Sequence, residues 1–170
     1  EAFFVFKRNG IYYFMWSVDD TGSENYRVAY GISDSPMGPI EVKGEILTKD
    51  LSLGIKGPGH HSVVKVPGKD EYYIVYHRFA IPNGDGTHRE TTIDRLEFHE
   101  DGTIRKVVPT LESIRPVSVP AVPVTGLRLR QEGLDLKVGE TGQLTAIITP
   151  MDATDRKLLW TSDMPEVATV

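Results

Sequence analysis

Gly57-Pro58-Gly59-His60-His61-Ser62-Val63-Val64 cannot begin as a helix or a strand interior, because a glycine-proline-glycine run breaks both. It reads as a tight loop that delivers two adjacent histidines to the start of an apolar strand over residues 61–66. A turn follows at Pro67-Gly68-Lys69-Asp70, then a second strand, Tyr72-Tyr73-Ile74-Val75-Tyr76. A polar pair held at the mouth of a strand by a rigid loop suits a site placed on a scaffold. Taken alone, the stretch reads first as a turn with two exposed histidines.

The same order occurs upstream. Ala2-Phe3-Phe4-Val5-Phe6 and Ile11-Tyr12-Tyr13-Phe14-Met15-Trp16 flank Asn9-Gly10, a strong hairpin signal. Their unbroken apolarity predicts strands covered on both faces. Arg27-Val28-Ala29-Tyr30-Gly31-Ile32 is a third strand, closed by Ser35-Pro36-Met37-Gly38-Pro39. Downstream of the histidines, a polar loop (Asn83-Gly84-Asp85-Gly86) precedes a strand over Glu90–Phe98, and Glu100-Asp101-Gly102 leads to Ile104 and Val107-Val108. The pairs Tyr12-Tyr13 and Tyr72-Tyr73 lie about 60 residues apart, and each copy holds three or four antiparallel strands, as propeller blades do. Blades bury their faces only against other blades, so earlier blades are expected before Glu1 and the chain reads as cut from something longer. No signal peptide is visible at its start.

Pro116 to Pro123 is a stiff, proline-rich linker between residues 1–115 and residues 124–170. Beyond it, Leu127–Arg130, Leu134–Val138 and Leu144–Ile148 alternate apolar with polar, which predicts strands of a small β-sandwich with Trp160 in its core. The fold class expected is all-β: the last two blades of a propeller, then the beginning of an Ig-like sandwich.

The composition, 39% apolar and 25% charged, is that of a globular protein. A net charge of −5, spread over both segments without a strong bias in either, excludes nucleic acid as the expected partner. No apolar run is long enough to span a membrane. Without cysteine there is no thiolate catalysis, disulfide or zinc-thiolate site. Gly57-Pro58-Gly59 lacks the Gly-Lys-Ser/Thr of a phosphate loop. Asn83–Gly86 lacks EF-hand spacing. Asp19-Asp20 and Glu100-Asp101 read as solvated turn acids, and Trp16 and the tyrosines as blade core.

Several pieces together resemble glycoside hydrolase family 43 over roughly residues 1–114: Glu1-Ala2, Lys7-Arg8-Asn9-Gly10-Ile11-Tyr12-Tyr13, Ser33-Asp34-Ser35-Pro36 within residues 30–39, Gly59-His60-His61-Ser62, Tyr76-His77-Arg78, and Arg89 ahead of Ile93-Asp94-Arg95. The resemblance implies a five-bladed propeller and an inverting glycosidase with three carboxylates on the axis. One aspartate activates water, a second tunes and holds the acid, and a glutamate protonates the leaving oxygen. The glutamate falls on Glu1 as general acid; read without the family, it is a glutamate ending a strand. Both aspartates are expected upstream of Glu1, so the chain alone is expected to be inactive. His60 matches a histidine of the central cavity that contacts substrate or coordinates a cation, with a structural histidine as the other reading. His61 is its neighbour, and strand alternation lets only one of the two face the axis. Arg89 matches an arginine that reaches the sugar, or it is a surface arginine pairing with Glu90. Phe3 departs from the family, which often has proline there.

The implied substrates are α-L-arabinofuranosyl or β-D-xylosyl linkages of plant cell-wall polysaccharides, with no required cofactor and a possible Ca²⁺ on the axis. The implied setting is the outside or surface of a bacterial cell. Residues 124–170 resemble a bacterial Ig-like domain of group 2 through Val124-Thr125-Gly126-Leu127, Leu136–Thr141, Ile148-Thr149-Pro150, Leu159-Trp160-Thr161-Ser162 and Val167–Val170. Such a module implies cell-wall association. The alternative function is a non-catalytic carbohydrate-binding propeller with an Ig-like spacer.

Overall fold

The computed structural model describes residues 1–112 and 114–170 and divides into two compact units, Glu1–Ser118 and Val119–Val170. The division falls inside the proline-rich stretch.

The first unit holds two antiparallel sheets. Strands β1 (Phe4–Arg8), β2 (Ile11–Val18), β3 (Arg27–Ser33) and β4 (Glu41–Leu47) form a meander in chain order, and β5 (Gly59–Lys65), β6 (Tyr72–Phe79) and β7 (Arg89–Leu96) form another. Asn9 and Gly10 both take positive φ, 49° and 88°, between the paired residues Arg8 and Ile11. That is the two-residue turn whose twist matches the strands it joins. The fourth strand, β4, extends the first sheet beyond the three strands delimited from sequence.

The two sheets share one core. Tyr13, Met15 and Val28 of the first pack in a single cluster with Tyr72, Ile74 and Leu96 of the second. Burying each such side chain stabilises the fold by about 1.5–3 kcal/mol. Phe6 stacks on Tyr13 at 4.8 Å, and Phe98 meets Tyr13 and Tyr72 edge-on. After β7 the chain returns across the first sheet. Tyr13 donates to the Gly102 carbonyl (2.6 Å), the Ile104 N–H donates to the Tyr30 hydroxyl (3.0 Å), and the Val107 N–H donates to the Ile46 carbonyl (2.7 Å).

Three expectations are corrected. Coverage of both faces holds for the middle of β2 but not for β1, where half-buried and exposed residues alternate. Among the described residues only one face of β1 has a sheet packed on it, and Phe3, just before it, is 60% exposed. In the second unit, β8 (Gly126–Leu129) pairs with β9 (Ala146–Thr149), but Leu134–Val138 forms no strand and its apolar side chains are exposed. Alternation makes a strand only where a partner edge accepts its hydrogen bonds, and none is described beside it. Trp160 is 40% exposed, so it is not a buried core residue among the described residues. Among the described residues no helix is long and apolar enough to cross a membrane.

Candidate active site

Regular β1–β2 pairing runs from Arg8↔Ile11 to Phe4↔Met15. Beyond it, the Glu1 N–H donates to the Ser17 carbonyl (3.1 Å) and the Ser17 N–H donates back to the Glu1 carbonyl (2.8 Å). Ala2 and Phe3 therefore both oppose Trp16, which is a β-bulge. The second sheet repeats it: Gly59 pairs with His77 and Ser62 with Val75, so His60 and His61 both oppose Tyr76. In both bulges the first extra residue is left-handed, Ala2 at φ 51° and His60 at φ 48°. Neither is glycine, and a left-handed non-glycine residue costs about 1–2 kcal/mol. The bulges sit at matching points of the two sheets. Glu1 corresponds to Gly59, Ala2 to His60, Phe3 to His61 and Ser17 to His77.

The bulge settles how the two histidines face. His60 is exposed, and its N–H donates to Ser17 Oγ (2.9 Å). His61 is 6% exposed and meets Phe4 edge-on at 6.5 Å, and neither ring nitrogen has a hydrogen-bond partner. Burial, with the neighbouring His60 charge second, pushes its pKa down to about 4, so it is neutral at physiological pH.

Behind Glu1 stands Tyr26, fully buried, in the residue just before β3. Its hydroxyl donates to Glu1 Oε1 (2.7 Å), and its ring stacks on His77 with centroids 5.5 Å apart and planes 9° from parallel. The same ring covers Gly59, where a β-carbon would overlap it. Burial pushes the phenol up to about 12; the Ser17 hydroxyl opposes the rise and the Glu1 carboxyl adds to it. His77 lies 6.0 Å from the His60 ring, and its Nε2 is buried with no hydrogen-bond partner. Burial first, then the positive fields of Arg89 and His60, push the His77 pKa down to about 4, against the pull of Glu1.

Arg89 opens β7, exposed, and its Nη1 donates to Thr21 Oγ1 (3.0 Å). Pairing with Glu90 does not occur, because the Glu90 carboxylate is taken by Arg78 Nε at 2.8 Å. Glu1, His60 and Arg89 thus gather with Tyr26, Ser17, His77 and Thr21 at one end of the two sheets. Buried Tyr26 and Ser17 and half-buried His77 and Thr21 lie behind, with the acid, one imidazole and the guanidinium exposed. A hollow lined by Asp94, Arg105 and Thr110 lies apart from this cluster, whose Glu1, His60 and Arg89 are exposed.

The sequence does not mark Tyr26 or His77 as site residues. Tyr26 sits at the end of a polar loop that carries no motif. Matching the two sheets finds His77, since it sets that residue opposite Ser17. Asp20, Asp85 and Asp101 accept backbone N–H bonds within their own turns, as solvated turn acids do.

The described residues do not by themselves complete a calcium site around His60. Among the described residues no three His, Asp or Glu converge. His60 offers one imidazole nitrogen, whereas calcium takes six to eight oxygens.

Comparison with known proteins follows the same division. Residues 1–104 match the profile of glycosyl hydrolases family 43, and residues 123–170 that of the bacterial Ig-like domain (group 2). The chain is 44% identical to a β-D-galactofuranosidase of Aspergillus niger over 115 residues, 67% of this chain and 33% of that protein. It is 32% identical to an arabinoxylan arabinofuranohydrolase of Paenibacillus polymyxa over 125 residues, 67% of this chain and 19% of that one. A solved thermostable family-43 glycoside hydrolase superposes with a TM-score of 0.60 and 38% identity, over 68% of this chain and 37% of its own. The chain spans a third or less of the length of these two curated relatives.

Proposed function

The chain belongs to glycosyl hydrolases family 43, its two sheets being blades of a five-bladed propeller, and we propose that the protein carrying it is an inverting glycosidase of plant cell-wall polysaccharides. Its linkages are α-L-arabinofuranosyl, with β-D-xylosyl second. Glu1 is the general acid: its proton passes to the glycosidic oxygen as the bond to the anomeric carbon breaks. A second carboxylate, about 6.5–9.5 Å away across the sugar, activates the water that attacks the opposite face. His60 and Arg89 are substrate contacts, the guanidinium gripping sugar hydroxyls through several donors. The reaction needs no cofactor.

The observation that carries this reading is the convergence of an exposed carboxyl, an exposed imidazole and an exposed guanidinium, the carboxyl bonded to buried Tyr26, the His60 backbone to buried Ser17 and the guanidinium to half-buried Thr21. A polymeric substrate lies outside the cell, so the protein acts there or at the bacterial surface, with the Ig-like unit as a wall-associated spacer.

The test uses the full-length protein on aryl α-L-arabinofuranoside, β-D-xyloside and β-D-galactofuranoside. Release of arabinose is expected, and Glu1→Gln is expected to lower turnover of substrates with poor leaving groups by about a hundredfold. Unchanged turnover in that variant removes the acid assignment. Binding of arabino-oligosaccharides with no hydrolysis by the unaltered protein leaves the non-catalytic carbohydrate-binding reading.

A further inference from the structure

We infer that Tyr26 is the positioning residue of the acid, choosing which carboxyl oxygen of Glu1 offers the proton; the inference rests on the reading of Glu1 as general acid. A carboxylic acid has two oxygens and one proton, and only the protonated oxygen can serve the leaving group. The Tyr26 hydroxyl donates to Oε1. A donor satisfies an oxygen that bears no proton, so the acid's own proton is left to Oε2. The phenol keeps its proton at any pH where the enzyme works, being raised by burial to about 12.

The hydroxyl can do this because its ring is held by packing on its faces. Tyr26 is fully buried, His77 stacks flat on one face, and Gly59 leaves only backbone against it. Glu1, by contrast, is exposed, and an unanchored glutamate would spread over several rotamers. When Glu1 gives up its proton the carboxylate turns anionic, and the Tyr26 bond becomes a charge-assisted one. Tyr26 stays protonated throughout. It therefore stabilises the charge that develops on Glu1 as well as aiming the proton.

A ring that merely fills space would predict otherwise, and leaving-group chemistry separates the two. A dinitrophenyl leaving group departs without protonation, whereas a sugar or alkyl leaving group needs the acid. In the full-length protein, Tyr26→Phe keeps the ring and removes only the hydroxyl. Its expected effect is a loss of about tenfold in kcat/KM on the alkyl or sugar glycoside, with dinitrophenyl glycoside hydrolysis within about twofold and KM unchanged. An equal loss on both substrates would mark Tyr26 as packing only, and no loss on either would mean its hydroxyl does nothing; each overturns the inference. Glu1→Gln is measured in parallel. If Glu1→Gln separates the two substrates and Tyr26→Phe does not, the acid stands and Tyr26 falls. If Glu1→Gln fails to separate them, the acid assignment falls and the inference with it.

Discussion

At the scale of the residue, Gly59 has more influence than its size suggests. It has no side chain because the Tyr26 ring occupies the place of one. In Gly59→Ala the added methyl must displace that ring, which His77 clamps from its own side. Overpacking of this kind costs about 1–3 kcal/mol. A lowered urea midpoint, together with a fall in kcat/KM on substrates with poor leaving groups, is the outcome expected. Arg89 behaves differently. It is exposed and tied only to Thr21, so Arg89→Ala should leave the melting temperature nearly unchanged and raise KM by about tenfold. Steady-state kinetics alongside a thermal melt checks both halves. Glu1, His60 and Arg89 are the candidates that short motifs pick out of the sequence, and the structure brings them to one end of the two sheets. No motif picks out Tyr26, because burial and a stacking partner depend on where a distant strand passes.

At the scale of the element, the strands bounded by strong punctuation are legible. Asn9-Gly10 fixes the β1–β2 hairpin, and Pro67-Gly68 bounds β5 and β6. β4 escapes, since Gly44 and two register shifts against β3 interrupt its pattern. Leu134–Val138 misleads, because a period of two says which side chains share a face and not whether a neighbouring edge exists. The bulges are invisible for a related reason: pairing offsets lie in the partner strand's register, not in the bulged residues. β6, β7 and the returning segment are joined by Asp94, which accepts from the Tyr76 hydroxyl (2.6 Å) and the Thr110 hydroxyl (2.6 Å). Burial holds the Tyr76 phenol far above its ordinary range, so it cannot ionise to relieve a lost partner. Asp94→Ala would strand that hydroxyl in the interior at a cost of about 1–3 kcal/mol. Chemical denaturation should show the loss, and the double variant with Tyr76→Phe should recover some of it.

At the scale of the molecule, buried His61 and half-buried His77 make stability depend on pH. His61 and His77 have folded pKa values of about 4, against 6.5 in the unfolded chain. The unfolded state therefore binds more protons in that window. Their contribution is fully present above pH 6.5 and is lost as pH falls toward 4. For His61 the span amounts to about 3 kcal/mol, and for the wetter His77 less. Denaturation midpoints measured from neutral pH down toward the folded pKa values should fall steadily. In His61→Phe, which installs the residue that Phe3 supplies in the first sheet, the fall should flatten. An unaltered slope in that variant would assign the dependence to other groups.

The paired bulges carry one more consequence. Two sheets of one pattern offer the same inward seat, and only one seat is filled by a carboxyl. The other is bare backbone, and its bareness is what lets the aromatic ring lie flat enough to reach across. Kinship of shape has become division of labour: one sheet brings the carboxyl, and its twin makes room for the ring that holds it.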